Sequence, residues 1–397
     1  MRNGTPNFQR QRLVEARDSS SLTQTALGRI IGKDSSTISK WENGTQSPEP
    51  EALDAISKTL NVPISYFMQD TVDHGPAPLF FRSMASSTLR LRKQTCARLR
   101  WAQDISLHLQ EWLDFPEVNV PRLNVSDHKE IRDIDIEDIA NQCRDVWKLG
   151  RGPISNLLLV MENAGIIVIK DETGSVKMDG LSNWSSADSR PYVLIATDKD
   201  VCVRSRMDAA HELGHLILHH SIDESTLNKS SDFKEIERQA FYFAGAFLMP
   251  EETFPMEIRT PSLNSFLSMK ERWKVSIGAM IMRFKNLDLI SDEHILRLWK
   301  AYSARGWRKR EPLDDLSILP VENPRLLSRS IKLLYDEGVR SKEDMLALFR
   351  LSSHDVEMLC SLTAGYMSTN NAEIISMPKL KKSTNKTGVG SVIPFKR

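Results

Sequence analysis

Cysteine is scarce. The 397-residue chain has four (Cys96, Cys143, Cys202 and Cys360), far apart and with no CxxC pair. That spacing excludes a disulfide scaffold and a cysteine-type zinc ribbon. No run approaches the roughly 18 uninterrupted apolar residues of a membrane span. The opening residues, MRNGTPNFQRQRLVEARDSS, lack the apolar core of a secretory signal, so the expectation is a cytoplasmic protein with no membrane partner. Charge of one sign is missing too. Lys plus Arg (53) nearly cancels Asp plus Glu (52), leaving +1. Only the local distribution of charge can point to a nucleic-acid partner. No internal repeat of fixed period is present. What remains is an ordinary globular mixture, 40% hydrophobic and 26% charged, that can bury a core. At roughly 100–200 residues per domain, the length predicts two to four domains.

Local patterns divide the chain. Residues 8–68 carry apolar positions at helical spacing, punctuated by Gly32 and Gly44, and 71–79 (TVDHGPAPL) read as a linker. Residues 82–100 hold six basic residues and no acid, and 101–150 hold eleven acids against five bases. Both stretches read as helical, and the first lies against either DNA or the acidic stretch that follows it. Short β-rich runs, Ile166–Ile169 and Tyr192–Ala196, follow a helix near 153–163. Helices are expected at about 203–220, 234–249, 261–300 and 323–366. Ser341 and Ser352 are expected as N-caps, each followed three residues later by an acid, Asp344 and Asp355. The tail after Glu373 has six basic residues and no acid and reads as disordered.

LTQTALGRIIGKDSSTISKWENG (22–44) has its own mechanics. A short amphipathic helix over Thr23–Ile31 ends at Gly32, where a left-handed turn is easy. Asp34 is placed to cap the next helix, SSTISKWENG, by accepting a backbone N–H. On that helix Ile38 and Trp41 point inward, while Ser35, Ser36, Thr37 and Lys40 point outward, suiting base edges and phosphates. TQ at 23–24, the Gly32 turn, TISKWENG and SPEPEALDAISKTLNVPISYFM together resemble an XRE-type, lambda-repressor/Cro-like helix-turn-helix domain. The resemblance adds Gln24 and Asn43 to the DNA-contact candidates and implies a double-stranded DNA operator bound by a homodimer. Lys33 and Asp34 depart from the family's usual apolar residue and Ser.

Histidine is the informative count. Four of nine (His211, His215, His219 and His220) fall within ten residues. Residues 211–215 read HELGH. On a helix, positions i and i+4 share a face, so His211 and His215 can present two imidazoles to one ion. Glu212 falls beside them, placed to take the proton of a water that zinc makes more acidic. Roughly 0.01 chance occurrences of HExxH are expected for this composition. Ala209, Ala210, Leu213, Leu216 and Ile217 bury the helix, and buried imidazoles need partners. Gly214 costs helix propensity, and close approach of another segment would explain it.

Zinc with an open position needs a third protein ligand. His219, His220, Asp232, Glu235 and Glu237 are candidates. Glu237 stands out because Ala240, Ala244 and Phe247 continue its helical stripe, suited to tight packing on the zinc helix. HELGHLILH followed by ERQAFYFAGAFLMP resembles the ImmA/IrrE family of zinc-dependent metallopeptidases over about residues 150–300. That resemblance implies Glu237 as third ligand, a Zn²⁺ cofactor and a protein substrate, typically a repressor-type regulator. Phe241 stands where the family often has Asn. FFRS at 80–83 and WRKREP near 307–312 resemble features of longer members fused to a helix-turn-helix. WKVSIGAMIMRFKNLDLIS (273–291) resembles a second helix-turn-helix but is expected to serve the peptidase core. Arg204 and Arg206 are expected either to orient substrate carbonyls or to serve the structure.

The expected fold is therefore mainly α with a small β element: an all-α helix-turn-helix domain, an α+β zincin-like metallopeptidase domain and C-terminal helices. The expected organisation is a helix-turn-helix domain over 1–70, a linker over 71–79, a helical connector over 80–149, the metallopeptidase domain over 150–300, a C-terminal helical region over 301–370 and a basic tail over 371–397. The expected function is a DNA-binding transcriptional regulator carrying a zinc-dependent metalloendopeptidase. The alternative is a transcription factor whose zinc domain senses or dimerises without proteolysis.

Overall fold

The computed structural model describes residues 4–75, 89–176, 178–199, 201–222 and 230–368. FFRS at 80–83 and the basic tail lie outside the described residues. The fold is mainly helical with one small sheet. Four short helices open it: α1 (Arg10–Ser19), α2 (Gln24–Ile30), α3 (Ser35–Glu42) and α4 (Pro50–Leu60). Thr23 caps α2 by accepting the Ala26 N–H, and Gly32 turns the chain at φ +67°. Asp34 occupies the N-cap position of α3, but its side chain makes no capping hydrogen bond. Ile38 and Trp41 are buried, as the spacing predicts.

The long helix α5 (Leu89–Gln110) follows, then α6 (Asp133–Val146) and α7 (Leu157–Asn163). The sheet contains β1 (Ile167–Asp171), β2 (Gly180–Ser185) and β3 (Arg190–Ala196) in the order β1-β3-β2. β3 pairs parallel with β1 and antiparallel with β2, so β2 forms one edge. Fourteen of the 17 residues of helix α8 (Cys202–Leu218) are buried, and it packs on α9 (Ser230–Leu248). Three helices, α10 (Leu263–Trp273), α11 (Ile277–Asn286) and α12 (Asp292–Ala304), complete that half. Three more, α13 (Leu326–Asp336), α14 (Lys342–Phe349) and α15 (Ser353–Leu359), lie against α5 and β1. Ser341 and Ser352 cap α14 and α15, as expected.

Strand alternation splits the core in two. Val168, Val193 and Ile195 face α8, α9 and the 273–291 segment, whose Trp273, Val275, Ile277, Met280, Ile281 and Phe284 are all buried there. That segment is core on the α8 side of the sheet. Ile167, Ile169, Tyr192 and Leu194 face the other way and join α5, the C-terminal helices and the core of α1–α4 in one cluster. The WRKREP stretch has a structural task. Glu311 accepts hydrogen bonds from Lys270, Tyr302 and the backbone N–H groups of Ile277 and Gly278, pinning the start of α11.

The C-terminal helices are tied to the sheet by a buried charge cluster. Arg98 Nε lies 2.6 Å from Asp171 Oδ2, and its Nη1 lies 3.5 Å from Asp355 Oδ1. Burial pushes the Asp171 carboxyl up to about 6 and outweighs the attraction of Arg98; Asp355 adds repulsion. A carboxyl raised on folding favours the native state below its unfolded pKa, and that contribution is lost as pH rises through about 6. Thermal melts at pH 5 and pH 7.5 should therefore show an acid-side gain of about 1 kcal/mol that Asp171→Asn removes. An unchanged difference in the variant would contradict this assignment.

Candidate metal centre

The site forms where α8 and α9 press together. Gly214 permits the approach. A Cβ there would meet Ala240 O and Phe243 Cδ1, each at 3.1 Å. Ala240, Ala244 and Phe247 are buried against α8, as the stripe suggested. The packing brings Glu237 of α9 over the paired histidines of α8. His211 Nε2 and His215 Nε2 are 3.0 Å apart, Glu237 Oε2 is 3.4 Å from His211 Nε2, and Glu237 Oε1 is 3.3 Å from His215 Nε2. Ligand atoms at zinc–nitrogen and zinc–oxygen bond lengths in a tetrahedron stand about 3.3 Å from one another. The histidine pair and each imidazole–carboxylate contact fall near that edge, the two contacts being made by different oxygens of Glu237. Glu237 Oε1 is moreover buried without a hydrogen bond, as an oxygen reserved for an ion would be. Burial alone would raise the Glu237 carboxyl, but the two imidazoles reverse this and hold it well below the usual carboxylate range. The residues present therefore fit a zinc ion. Of the other candidates, Glu235 pairs with Arg238 on the outer face of α9, and Asp232 lies near His128 and Lys129.

His219 belongs to the support of the site. Its Nδ1 is 3.0 Å from His215 Nδ1, and its Nε2 is 3.0 Å from Gln239 Oε1. Gln239 Nε2 donates to the carbonyls of His128 (2.8 Å) and Ile131 (3.3 Å), which fixes the amide with its oxygen toward His219. His219 Nε2 therefore carries the proton and donates. Burial keeps this imidazole neutral, so its Nδ1 accepts from His215 Nδ1–H. His215 thereby turns its Nε2 toward Glu237, 3.3 Å from Oε1. Outer partners of this kind orient metal ligands and set their tautomer. Gln239→Leu should weaken zinc binding about 10–100-fold in a chelator competition. Unchanged affinity would show that the relay does not hold His215.

Glu212 is only 1% exposed and has a separate anchor. Ser182 Oγ donates to Glu212 Oε2 at 2.7 Å. Gly180 makes room: a Cβ there would lie 2.9 Å from Glu212 Cγ and Oε1. Sequence reading missed both residues, because GLSNWS lacks the β-branched run that marks a strand. Its position between two turn-like stretches was the available signal. Phe241 lays its ring on His211, with centroids 4.2 Å apart. It also lines a groove of about 640 Å³ with Met207, Tyr242, Met282 and Trp299, bordered by Lys285. Arg206 is structural, held by Glu322 and the carbonyls of Ile154 and Lys274, whereas Arg204 is half-exposed beside Asp179.

At the other end of the molecule, Ser35, Ser36, Lys40 and Asn43 are exposed and Thr37 is half-buried. Gln24 is engaged inside the fold. Its Nε2 donates to Glu42 Oε2 at 2.7 Å, and Glu42 also pairs with Arg17. Among the described residues, no helix is long and apolar enough to cross a membrane.

Comparison with known proteins agrees with both ends. Residues 161–285 match the family model described as the IrrE N-terminal-like domain. Residues 13–67 match the model described as helix-turn-helix. The chain thus joins an XRE-type helix-turn-helix domain to an IrrE N-terminal-like, peptidase-type domain. An uncharacterized HTH-type transcriptional regulator of Sinorhizobium fredii is 36% identical over 63 residues, 16% of this chain and 44% of that protein. The match therefore spans less than half the length of the relative.

Proposed function

We propose that this protein is a DNA-binding transcriptional regulator that carries a zinc-dependent metalloendopeptidase and cleaves a partner regulatory protein. The observation that carries the reading is the convergence of His211, His215 and Glu237, with Glu212 next to His211 on the same helix and anchored by Ser182. A zinc ion held by these three would supply Lewis-acid polarisation of a peptide carbonyl and ease ionisation of water. The chain's own residues supply the rest. Glu212 takes the proton of the attacking water and passes it to the departing amine. Ser182 holds the carboxylate in position. Edge strand β2 brings Ser182 to the site where a peptide would be cut. The groove beside Phe241 receives an apolar side chain of that peptide.

At the N-terminal end, α3 enters the major groove and offers Ser35, Ser36, Thr37, Lys40 and Asn43, and Gln24 joins them by releasing Glu42. A homodimer places two such helices on adjacent half-sites. The test combines zinc analysis of the purified chain with recovery of bound proteins on Glu212→Gln. About one zinc per chain and a specific retained partner that the native chain cuts are expected. A biological output that survives Glu212→Gln intact would overturn the protease reading in favour of a zinc domain that only senses.

A further inference from the structure

The helix-turn-helix end is electrically balanced. Residues 1–70 hold eight basic and eight acidic side chains, so they bring no net charge to a polyanion. Duplex DNA is bound largely through phosphate neutralisation. The next source of positive charge along the chain is the run 82–100, with six bases and no acid.

The structure sorts that run. Arg98 turns inward to Asp171 and Asp355, and Arg100 leans toward Glu15 at 3.8 Å. Arg98 is buried and Arg100 exposed, and the partners of both lie outside the acidic stretch 101–150. Arg90 and Lys93 do not follow them. Both are exposed at the start of α5. Arg90 Nε donates to Ser21 Oγ at 2.8 Å, and Lys93 lies three residues on, on the same face of α5. Both therefore flank the turn joining α1 to α2, just ahead of Thr23. In helix-turn-helix docking, the first helix of the pair crosses the DNA backbone while the second enters the groove. The backbone-crossing helix here is α2, and Arg90 and Lys93 stand at its entrance.

We propose that Arg90 and Lys93 form a phosphate-binding flank of the DNA interface, supplied by the connector helix and indifferent to base sequence. The inference rests on the DNA-binding reading above. The probe is a 30-base-pair duplex of random sequence, titrated by fluorescence anisotropy with the full chain at several salt concentrations. Arg90→Gln with Lys93→Gln should lower the slope of log affinity against log salt by about 1.8, about 0.9 for each charge. Arg90→Lys, which keeps the charge, should restore its share. Lys58→Gln, on α4 and paired with Asp54, should leave the slope unchanged. If the native chain binds the duplex and the double variant keeps its slope, the flank is wrong and the DNA reading stands. If the native chain does not bind duplex DNA, both fall.

Discussion

Replacing Glu212 with glutamine should leave zinc in place and slow peptide-bond cleavage by about 10²–10⁴-fold, the usual contribution of a positioned general base. The geometry separates the two effects. The ligand atoms that converge belong to His211, His215 and Glu237, so the metal does not depend on Glu212. Glutamine has nearly the same shape, fits beside Gly180 and keeps an oxygen for the Ser182 hydroxyl. It cannot take up a proton near neutral pH. The check is single-turnover cleavage of the trapped partner, with zinc content measured on the same sample. Persisting cleavage would remove Glu212 from the mechanism. Loss of zinc would make it a ligand.

Glu237→Ala should have the larger effect on the metal. It deletes one of three converging donors and leaves His211 and His215 facing each other in a buried site. The loss in zinc affinity should exceed the 10–100-fold expected for an outer partner such as Gln239. An ion bound only by the native state also stabilises that state. Chelator should therefore lower the melting temperature of the native chain and leave that of the variant nearly unmoved. Stoichiometric zinc held with native affinity in Glu237→Ala would disprove the ligand set.

What the residues announced and what they hid have physical reasons. HELGH was legible because helical spacing alone puts two imidazoles on one face. The Gly214 exception and the Ala240–Ala244 stripe foretold a close crossing, because small residues have few other uses in a buried helix. Ile38, Trp41 and Gly32 located the helix-turn-helix by periodicity and turn chemistry. Strand β2 stayed hidden because an edge strand bearing polar side chains lacks apolar alternation. With it went Gly180 and Ser182, whose roles depend on a neighbour thirty residues away. The His219–Gln239 relay was equally out of reach, since it draws on carbonyls of His128 and Ile131 more than a hundred residues upstream. Asp34 shows the opposite failure. A good capping residue stands at the right position and leaves its side chain unused.

The cluster that runs from Leu13 through Trp101 to Leu194 and Leu359 has a consequence for how the molecule can come apart. The DNA-reading end is not a bead on a string. Its residues pack on α5, where Trp101 meets the Tyr66 ring edge-on and donates to its hydroxyl at 2.8 Å. The first four helices and the sheet therefore share one apolar wall, built on α5 and one face of β1 and β3.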